Sequence, residues 1–375
     1  MPAYKIISAD SHLNEPLEVY DRLPAKYRSR APRVEVRDGK RFVIAEGKPP
    51  IPLDAVNPLS EDDKKRYWRD SEDEGEEVGR VFHRAGGTDV AQRLRYQELD
   101  GVGAEVIYPH GTFNCFTSPD PAFQLAMARV LNDYYHELFG KHPDRFVPSA
   151  IVPMGDIPGA IAEAKRLAKL GFRSLSIPMH IPRLPYNMPE YEPFWATIAE
   201  LGIPLALHVF TEAETSESDQ PSRAAPGDDL AYEIIEQANA MKPLCLFVAS
   251  GILERHPNMR FVLVECGIGW LAWVLQTLDQ INEKRHMWIQ PRLELKPSEY
   301  FKRQGAATFA DDEVGLAARD VTGVECLLWG NDYPHDEGTF PHSRKVIDRV
   351  FRTLTEAERK TILHDNPARL YGFRV

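Results

Sequence analysis

The sequence has few of the features that mark secreted or membrane-spanning proteins. Only four cysteines occur in 375 residues, and no two of them form a C-x-x-C pair, so neither a disulfide framework nor a thiolate metal site is indicated. No apolar run approaches the ~18 residues that a membrane span requires. The first residues also lack the apolar core of a signal peptide. We therefore expect a cytoplasmic protein with reduced thiols and no membrane partner.

The chain also has fewer basic residues than acidic ones. The chain has 45 Lys and Arg against 56 Asp and Glu, which gives a formal net charge of −11. Such a surface repels the phosphates of nucleic acid, so we expect no nucleic-acid partner. The net charge says little about a small-molecule substrate, which is the partner we expect, because the field inside a pocket is set by local residues.

Eight short apolar runs alternate with longer segments of helical period, a pattern typical of βα units and a parallel sheet. The runs cover residues 4–10, 104–109, 145–153, 173–178, 203–209, 260–265, 306–310 and 324–330. Helical periodicity is clear at residues 121–139, 157–170, 230–256 and 268–283. The alternation predicts an α/β fold in which residues 1–375 form a single (β/α)8 (TIM) barrel domain.

Two stretches interrupt this rhythm. Residues 30–87 are too long for one crossover helix and predict an insertion after strand one, with a β-hairpin at 34–44 that turns at Asp38-Gly39. A strongly charged segment at 61–77 follows the hairpin, and the first helix is expected near 88–99. The polar segment 211–229 after strand five is either a lid over the site or a surface loop.

Candidate metal ligands follow several of the predicted strands. Asp10 and His12 end strand one, where alternate residues face the same side. His180 follows strand four, His208 ends strand five and Asp332 follows strand eight. Each alone could be a hydrogen-bonded structural histidine or a helix N-cap. Their convergence on the catalytic end of one barrel favours a cation, because unpaired ionisable groups are costly to desolvate.

Other polar and aromatic residues lie near the same strand ends. Glu15 and His335 are further candidate ligands, or alternatively groups that orient the ligands and contact substrate. His110 and Phe113 follow strand two and could line a substrate pocket. Glu265 ends strand six, where it could bind substrate or cap the next helix.

Three short motifs, taken together, resemble a known family. They are Ile-Ser-Ala-Asp-Ser-His-Leu-Asn-Glu-Pro at 7–16, Leu-His at 207–208 and Gly-Asn-Asp-Tyr-Pro-His at 330–335. They resemble the amidohydrolase superfamily, and more narrowly the amidohydrolase-related branch that contains aminocarboxymuconate semialdehyde decarboxylase. The family's first motif is often His-x-His, whereas this chain has Asp10-x-His12.

The resemblance implies roles for individual residues. His208 and Asp332 match the family's strand-five histidine and strand-eight aspartate, and Asp332 would both bind metal and handle protons. His180 stands where other members place a bridging or additional ligand. The implied metal ligands are Asp10, His12, Glu15, His180, His208, Asp332 and His335. The implied catalytic residues are Asp332, His208 and His180.

The resemblance implies a metal-dependent hydrolase or non-oxidative decarboxylase that acts on a small carboxylated substrate, aromatic in one interpretation. The implied cofactor is zinc, manganese or iron, as one or two ions. Seven candidate ligands exceed the needs of one ion, so a dinuclear iron or iron–manganese monooxygenase on the same barrel is an alternative. A non-catalytic partner subunit is a further alternative. Barrels of this kind also imply a homodimer, with the hairpin as a dimer arm.

Overall fold

The computed structural model describes residues 4–48, 50–52, 89–181, 183–213, 227–335 and 337–374. Its fold is α/β. The strands are β1 (Ile6–Ser8), β2 (His12–Leu13), β3 (Arg33–Arg37), β4 (Lys40–Ile44), β5 (Ile51–Pro52), β6 (Val102–Pro109), β7 (Phe146–Pro148), β8 (Ala150–Ile151), β9 (Leu175–Ile177), β10 (Leu205–His208), β11 (Phe261–Val264), β12 (Gly305–Phe309) and β13 (Leu327–Trp329).

Two parallel sheets contain the strands that carry the candidate ligands. One joins β1, β2 and β7 to β6, and the other has the order β13-β12-β11-β10-β9-β8. Backbone hydrogen bonds also link the sheets. The Ala9 amide donates to the Trp329 carbonyl over 2.8 Å, and the Ser149 amide donates to the Ile107 carbonyl over 2.8 Å. The first and last of these strands are therefore neighbours, which brings their carboxyl ends together.

Helices follow most of the parallel strands. The described α-helices are Val90–Asp100, Thr112–Cys115, Pro121–Phe139, Ile157–Leu170, Glu192–Leu201, Asp228–Asn239, Met241–Ala249, Ile252–Arg255, Leu271–Lys284, Pro297–Gln304, Glu313–Ala317, Arg319–Thr322, Ser343–Val350, Glu356–Lys360 and Asn366–Tyr371. Short 3-10 helices span Leu17–Arg22, Ala25–Arg30, Pro189–Tyr191 and Val324–Cys326, and a π-helix spans Thr361–Asp365. Among the described helices, none combines the length and the apolar composition that crossing a bilayer requires.

Local sequence signals set the ends of these helices. Asp156 caps the helix Ile157–Leu170 by accepting a hydrogen bond from the Gly159 amide, and Gly171 ends it with φ of +88°. Gly251 has φ of +75° and separates the helices Met241–Ala249 and Ile252–Arg255. The stretch 230–256, which the sequence predicts as helical throughout, is therefore three helices.

The buried apolar residues of the parallel strands form two clusters, one on each face of the strands. On β10, Leu205 and Leu207 belong to the cluster between strands and helices, whereas Ala206 packs with inward residues of the other strands. On β1, Ile6 and Ile7 divide in the same way. This alternation is the period-two pattern of a strand that is buried on both faces. It leaves the strand ends as the places where polar side chains can gather.

Each of the eight predicted strands coincides with a strand of the structure, with different boundaries. The prediction at 4–10 corresponds to β1, with β2 just beyond its end, and the prediction at 145–153 divides into β7 and β8. Strands β3 and β4 pair in antiparallel fashion through Arg37 and Lys40, and Asp38 in the turn between them has φ of +51°. The charged segment 61–77 lies outside the described residues, as does most of the predicted lid, residues 214–226. The four cysteines are unpaired, and three of them are buried.

Candidate metal centre

The carboxyl ends of the parallel strands bring together a cluster of carboxylates and imidazoles. Three overlapping groups each have their ligand atoms within 4.8 Å of one another. The groups are Asp10, His12, His208 and Glu265; His12, Glu265, Asp332 and His335; and His12, His110 and His335. We call the seven residues of these groups the metal centre. They come from the ends of different strands, so the fold alone assembles them.

His12 lies at the middle of the metal centre. Its Nε2 is 3.3 Å from Asp332 Oδ1, 3.4 Å from Glu265 Oε2 and 3.6 Å from Asp10 Oδ1. The imidazole is only 2% exposed. Three carboxylates from three strand ends thus face one buried ring nitrogen, a geometry that sequence spacing alone does not specify.

His208 presents its other ring nitrogen to the same space. Its Nδ1 donates a hydrogen bond of 2.9 Å to the Val209 carbonyl, which assigns the Nδ1 proton and directs Nε2 inward. Nε2 is 3.2 Å from Glu265 Oε2 and 3.8 Å from Asp10 Oδ1. A histidine held in this way is ready to offer the Nε2 lone pair to a cation.

Several buried atoms of the metal centre have no hydrogen-bond partner. They are Asp10 Oδ1, His12 Nδ1 and Nε2, His208 Nε2, Glu265 Oε2 and Asp332 Oδ2. Leaving such atoms unsatisfied is costly, because burial removes their water without supplying a replacement. The atoms are also spaced suitably for a metal. Ligands bonded to one zinc-sized ion at about 2.1 Å stand roughly 3.0–3.4 Å apart, close to the separations measured here.

Asp332, His335 and His110 form a connected chain. His335 Nδ1 donates to Asp332 Oδ1 over 2.8 Å, and His335 Nε2 lies 2.7 Å from His110 Nε2. The rings of His335 and His110 stack with centroids 5.0 Å apart. One of the two facing nitrogens donates to the other, so a proton can pass along the chain toward or away from Asp332.

Burial and neighbouring charges shift the ionisation of the metal centre. Burial raises the pKa of Asp10. Burial opposes protonation of His208, but the carboxylates of Glu265 and Asp10 together raise its pKa well above the usual range. Burial likewise opposes protonation of His335, and Asp332 overcomes it, raising the pKa of His335 to about 9. Burial and the other imidazoles lower the pKa of His110.

Neighbouring residues hold the ligands in position. Thr308 Oγ1 donates to Asp10 Oδ2 over 3.2 Å and accepts a hydrogen bond of 2.7 Å from the Glu265 amide. At position 330, a Cβ atom would lie 2.4 Å from the Asp10 Cβ, so only Gly330 lets the two strand ends approach this closely. Buried Arg93 donates from Nη1 to the His12 carbonyl.

Two residues of the metal centre have strained backbones. Glu265 has φ of +59° and Asp332 has φ of +53°, values that L-residues adopt at a cost. Glu265 directly follows β11, and Asp332 lies three residues beyond the end of β13. The surrounding structure therefore holds Glu265 and Asp332 in conformations that local preference would not select.

The structure brings some of the predicted site residues together and leaves others apart. Asp10, His12, His208, Asp332 and His335 lie together, as the metal-site prediction requires. Glu265 and His110 were expected to bind substrate, yet they belong to the metal centre. Both directly follow a strand, and closeness to a strand end is the signal that identified Asp10 and Asp332, so the sequence could have indicated this.

His180 and Glu15 lie outside the three groups. The carbonyl of His180 accepts a hydrogen bond from the Ala213 amide, and burial lowers the pKa of its imidazole. Glu15 Oε1 instead accepts hydrogen bonds from Tyr135 Oη over 2.8 Å and the Gly111 amide over 3.2 Å. The geometry therefore favours the orienting alternative for Glu15 and lends no support to His180 as a ligand. Phe113 lies in the helix Thr112–Cys115, and its side chain is outside the described part of the structure.

Comparison with known proteins identifies the family. A family model described as amidohydrolase matches residues 113–373. The chain belongs to the amidohydrolase family. Two similar proteins are named as decarboxylases. The γ-resorcylate decarboxylase of Rhizobium radiobacter is 26% identical over 278 residues, which cover 68% of this chain and 78% of the relative. The 2-amino-3-carboxymuconate-6-semialdehyde decarboxylase of Dictyostelium discoideum is 22% identical over 273 residues, 72% of each chain.

Solved structures show the same fold. An amidohydrolase from Mycobacterium avium subsp. paratuberculosis superposes with a TM-score of 0.76 at 19% identity, over 99% of this chain and 100% of the other. A dihydroxybenzoic acid decarboxylase from Polaromonas sp. JS666 has a TM-score of 0.65 at 20% identity, over 99% and 98% of the two chains. That decarboxylase was crystallised with bound manganese. The family resemblance predicted from the three sequence motifs is therefore confirmed.

Proposed function

We propose that this chain is a metal-dependent, non-oxidative decarboxylase of a small aromatic carboxylate. The observation that carries the proposal is the set of buried, unpartnered oxygen and nitrogen atoms on Asp10, His12, His208, Glu265 and Asp332. Two decarboxylase relatives support the same reaction class over hydrolysis and over the oxygenase alternative.

The five residues fit a divalent cation because each offers at least one imidazole nitrogen or carboxylate oxygen that has no hydrogen-bond partner. Manganese is the proposed ion, by analogy with the manganese in the Polaromonas enzyme. When bound, such an ion would act as a Lewis acid that neutralises the substrate carboxylate and its neighbouring oxygen. The low exposure of His12 and Asp332, 2% and 3%, keeps water away from these charges.

The chain's own residues supply the proton that the reaction consumes. Decarboxylation breaks the bond between the ring carbon and the carboxyl carbon, and the electron pair stays on the ring carbon. That carbon then takes a proton, which Asp332 delivers, and carbon dioxide leaves. His335 and His110 connect to Asp332 through contacts of 2.8 and 2.7 Å, so they can return a proton to it after turnover.

A direct assay tests the proposal. The chain, freed of metal with a chelator and reloaded with manganese, is incubated with γ-resorcylate and with 2-amino-3-carboxymuconate-6-semialdehyde. We expect carbon dioxide release from the aromatic γ-resorcylate in preference to the acyclic semialdehyde, loss of release after chelation and recovery on adding manganese. Elemental analysis gives the number of ions per chain. Turnover that persists without metal would contradict the proposal, as would cleavage of amides or esters with no carbon dioxide released.

We further infer that the two parallel sheets form one closed (β/α)8 barrel, with residues 1–375 as a single domain and residues 30–87 inserted after strand one. The backbone hydrogen bonds from Ala9 to Trp329 and from Ser149 to Ile107 support this closure. We also propose a homodimer that pairs through the exposed β3–β4 hairpin, on which Val36 is 68% exposed. Light scattering of the native chain, and of a variant with Val36→Lys, tests the dimer.

A further inference from the structure

A second concentration of charge lies at the opposite ends of the same strands. A cavity of about 270 Å³ opens beside the amino ends of β11, β12 and β13. Its lining includes four cations, Arg260, Lys302, Arg303 and Arg369. Glu325 is the one acidic residue among the described residues that line it. So high a local positive charge contrasts with the net charge of −11 on the whole chain.

Neutral acceptors, and not carboxylates, hold the three guanidinium groups. Arg260 Nη1 donates to the Pro257 and Met259 carbonyls over 2.8 and 2.9 Å. Arg303 donates to the Leu253 carbonyl over 2.8 Å, and Arg369 donates to the Glu325 carbonyl over 3.3 Å. These bonds fix the guanidinium planes without neutralising their charge.

The positive charges of these four side chains are not neutralised by nearby carboxylates among the described residues. Within the described part of the chain, no carboxylate oxygen lies within 4 Å of Arg260, Lys302, Arg303 or Arg369, although the same chain pairs many of its other arginines with acids. Burial, together with Arg303 and Arg369, lowers the pKa of Arg260. Like charges therefore repel one another across the cavity, and a bound anion would remove that repulsion.

From this geometry we propose that the cavity is a binding site for a phosphate group, carried by inorganic phosphate or by a small phosphate monoester. Guanidinium groups donate paired hydrogen bonds that match phosphate oxygens, and several donors around one cavity suit a tetrahedral dianion better than a planar carboxylate. The volume lies just below the roughly 300 Å³ at which pockets for drug-sized ligands begin, so it suits a small anion. The site is distinct from the metal centre because it opens at the other ends of the strands.

Calorimetric titration at low ionic strength tests the site, with inorganic phosphate and glycerol 3-phosphate as probes and the manganese-loaded chain as receptor. We expect saturable binding of one phosphate group per chain. The double variant Arg260→Gln/Arg369→Gln should bind at least about tenfold more weakly, because two charged donors are lost. Equal affinity for the two probes would assign recognition to the phosphate group itself, and tighter monoester binding would assign a small organic phosphate.

A matched variant controls for overall charge. Arg33→Gln/Arg37→Gln removes the same two charges from the exposed β3 strand and should bind phosphate as the native chain does. The single variant Lys302→Gln changes an exposed side chain and keeps a test available if the double variant does not fold. It should weaken binding by about threefold.

Three results would overturn the proposal. The first is no saturable binding of either probe by the native chain. The second is undiminished binding by the folded cavity variants, which would assign the phosphate to another place such as the metal centre. The third is an equal loss in the β3 control, which would indicate a general charge effect.

Discussion

Two sets of buried carboxylates in this molecule differ in what surrounds their oxygens. Glu163, in the helix Ile157–Leu170, is fully buried, and both of its oxygens are satisfied. Arg129, Arg166 and Asn132 donate four hydrogen bonds to it, between 2.7 and 3.2 Å long. Asp10 and Asp332 are almost as buried, yet each keeps an oxygen without any partner.

The difference shows how burial alone can mislead. A buried carboxylate that arginines saturate stabilises the packing of helices and has no capacity left for a ligand. A buried carboxylate with an unpartnered oxygen is costly to bury by itself, and a bound ligand would explain it. We call Glu163 and its three donors the saturated cluster. If this contrast is right, substitutions in the metal centre change chemistry, and substitutions in the saturated cluster change stability.

The largest effect is expected from Asp332→Asn. The substitution keeps the shape of the side chain and removes a carboxylate that, as proposed, binds metal and delivers the proton. We expect kcat for decarboxylation to fall by roughly 100- to 10,000-fold with little loss of stability. Steady-state kinetics and urea unfolding measure the two quantities. Asp156→Asn, which changes a helix cap, should leave kcat unchanged, and full activity of the Asp332 variant would break the contrast.

A smaller effect is expected from Thr308→Val. The valine keeps the volume but cannot donate to Asp10 or accept from the Glu265 amide. We expect manganese affinity to fall about 10- to 100-fold, as is usual when a group that orients metal ligands is lost. Competition with a chelating indicator measures the affinity. Thr361→Val, in which an exposed hydroxyl bonded to the Ala357 carbonyl is lost, serves as the control; an equal change in both variants would refute the assigned role.

Substitution in the saturated cluster should lower stability and leave metal affinity and kcat unchanged. Glu163→Gln leaves Arg129 and Arg166 without their buried partner, and we expect the free energy of unfolding to fall by about 1–3 kcal/mol. Metal affinity and kcat should stay within about twofold of the native values, because distant substitutions usually affect each other by no more than that. Glu35→Gln, on an exposed strand and also paired with two arginines, should lower the free energy of unfolding much less than Glu163→Gln does. Loss of metal from the Glu163 variant would remove the distinction between the two clusters.

The smallest effect is the pH dependence of the difference in unfolding free energy between the native chain and Glu163→Gln. Burial would raise the pKa of Glu163, but Arg166 and Arg129 lower it below the ordinary value of 4.5. A lowered folded-state pKa stabilises the protein above 4.5, and this contribution is lost as the pH falls through the folded-state value. The stability gap between the native chain and Glu163→Gln should therefore narrow in acid. Unfolding by urea at a series of pH values measures it, and a constant gap would show that the pair adds no ionic stabilisation.

The sequence predicted most of the fold because its signals are local. Apolar runs and helical periods placed all eight parallel strands, and the residues at or within a few positions of their carboxyl ends included Asp10, His208 and Asp332. The same reasoning expected Glu265 and His110 to contact substrate and did not foresee that both lie in the groups of possible metal ligands. It also grouped His180 with the ligands, although the structure leaves that residue outside the three groups. Strand ends can be read from a sequence, whereas the direction of a side chain beyond the strand end cannot.

By itself, the sequence determined the alternation of strands and helices, the family, and the residue types available at the strand ends, because each depends on neighbours along the chain. Only the tertiary structure decided which of those residues meet. The left-handed backbone at Glu265 and Asp332 and the close approach at Gly330 depend on contacts between strands far apart in sequence. The same is true of the basic cavity, whose cations come from separate segments. Whether a buried charge is satisfied is a property of all its neighbours, and those neighbours exist only in the folded chain.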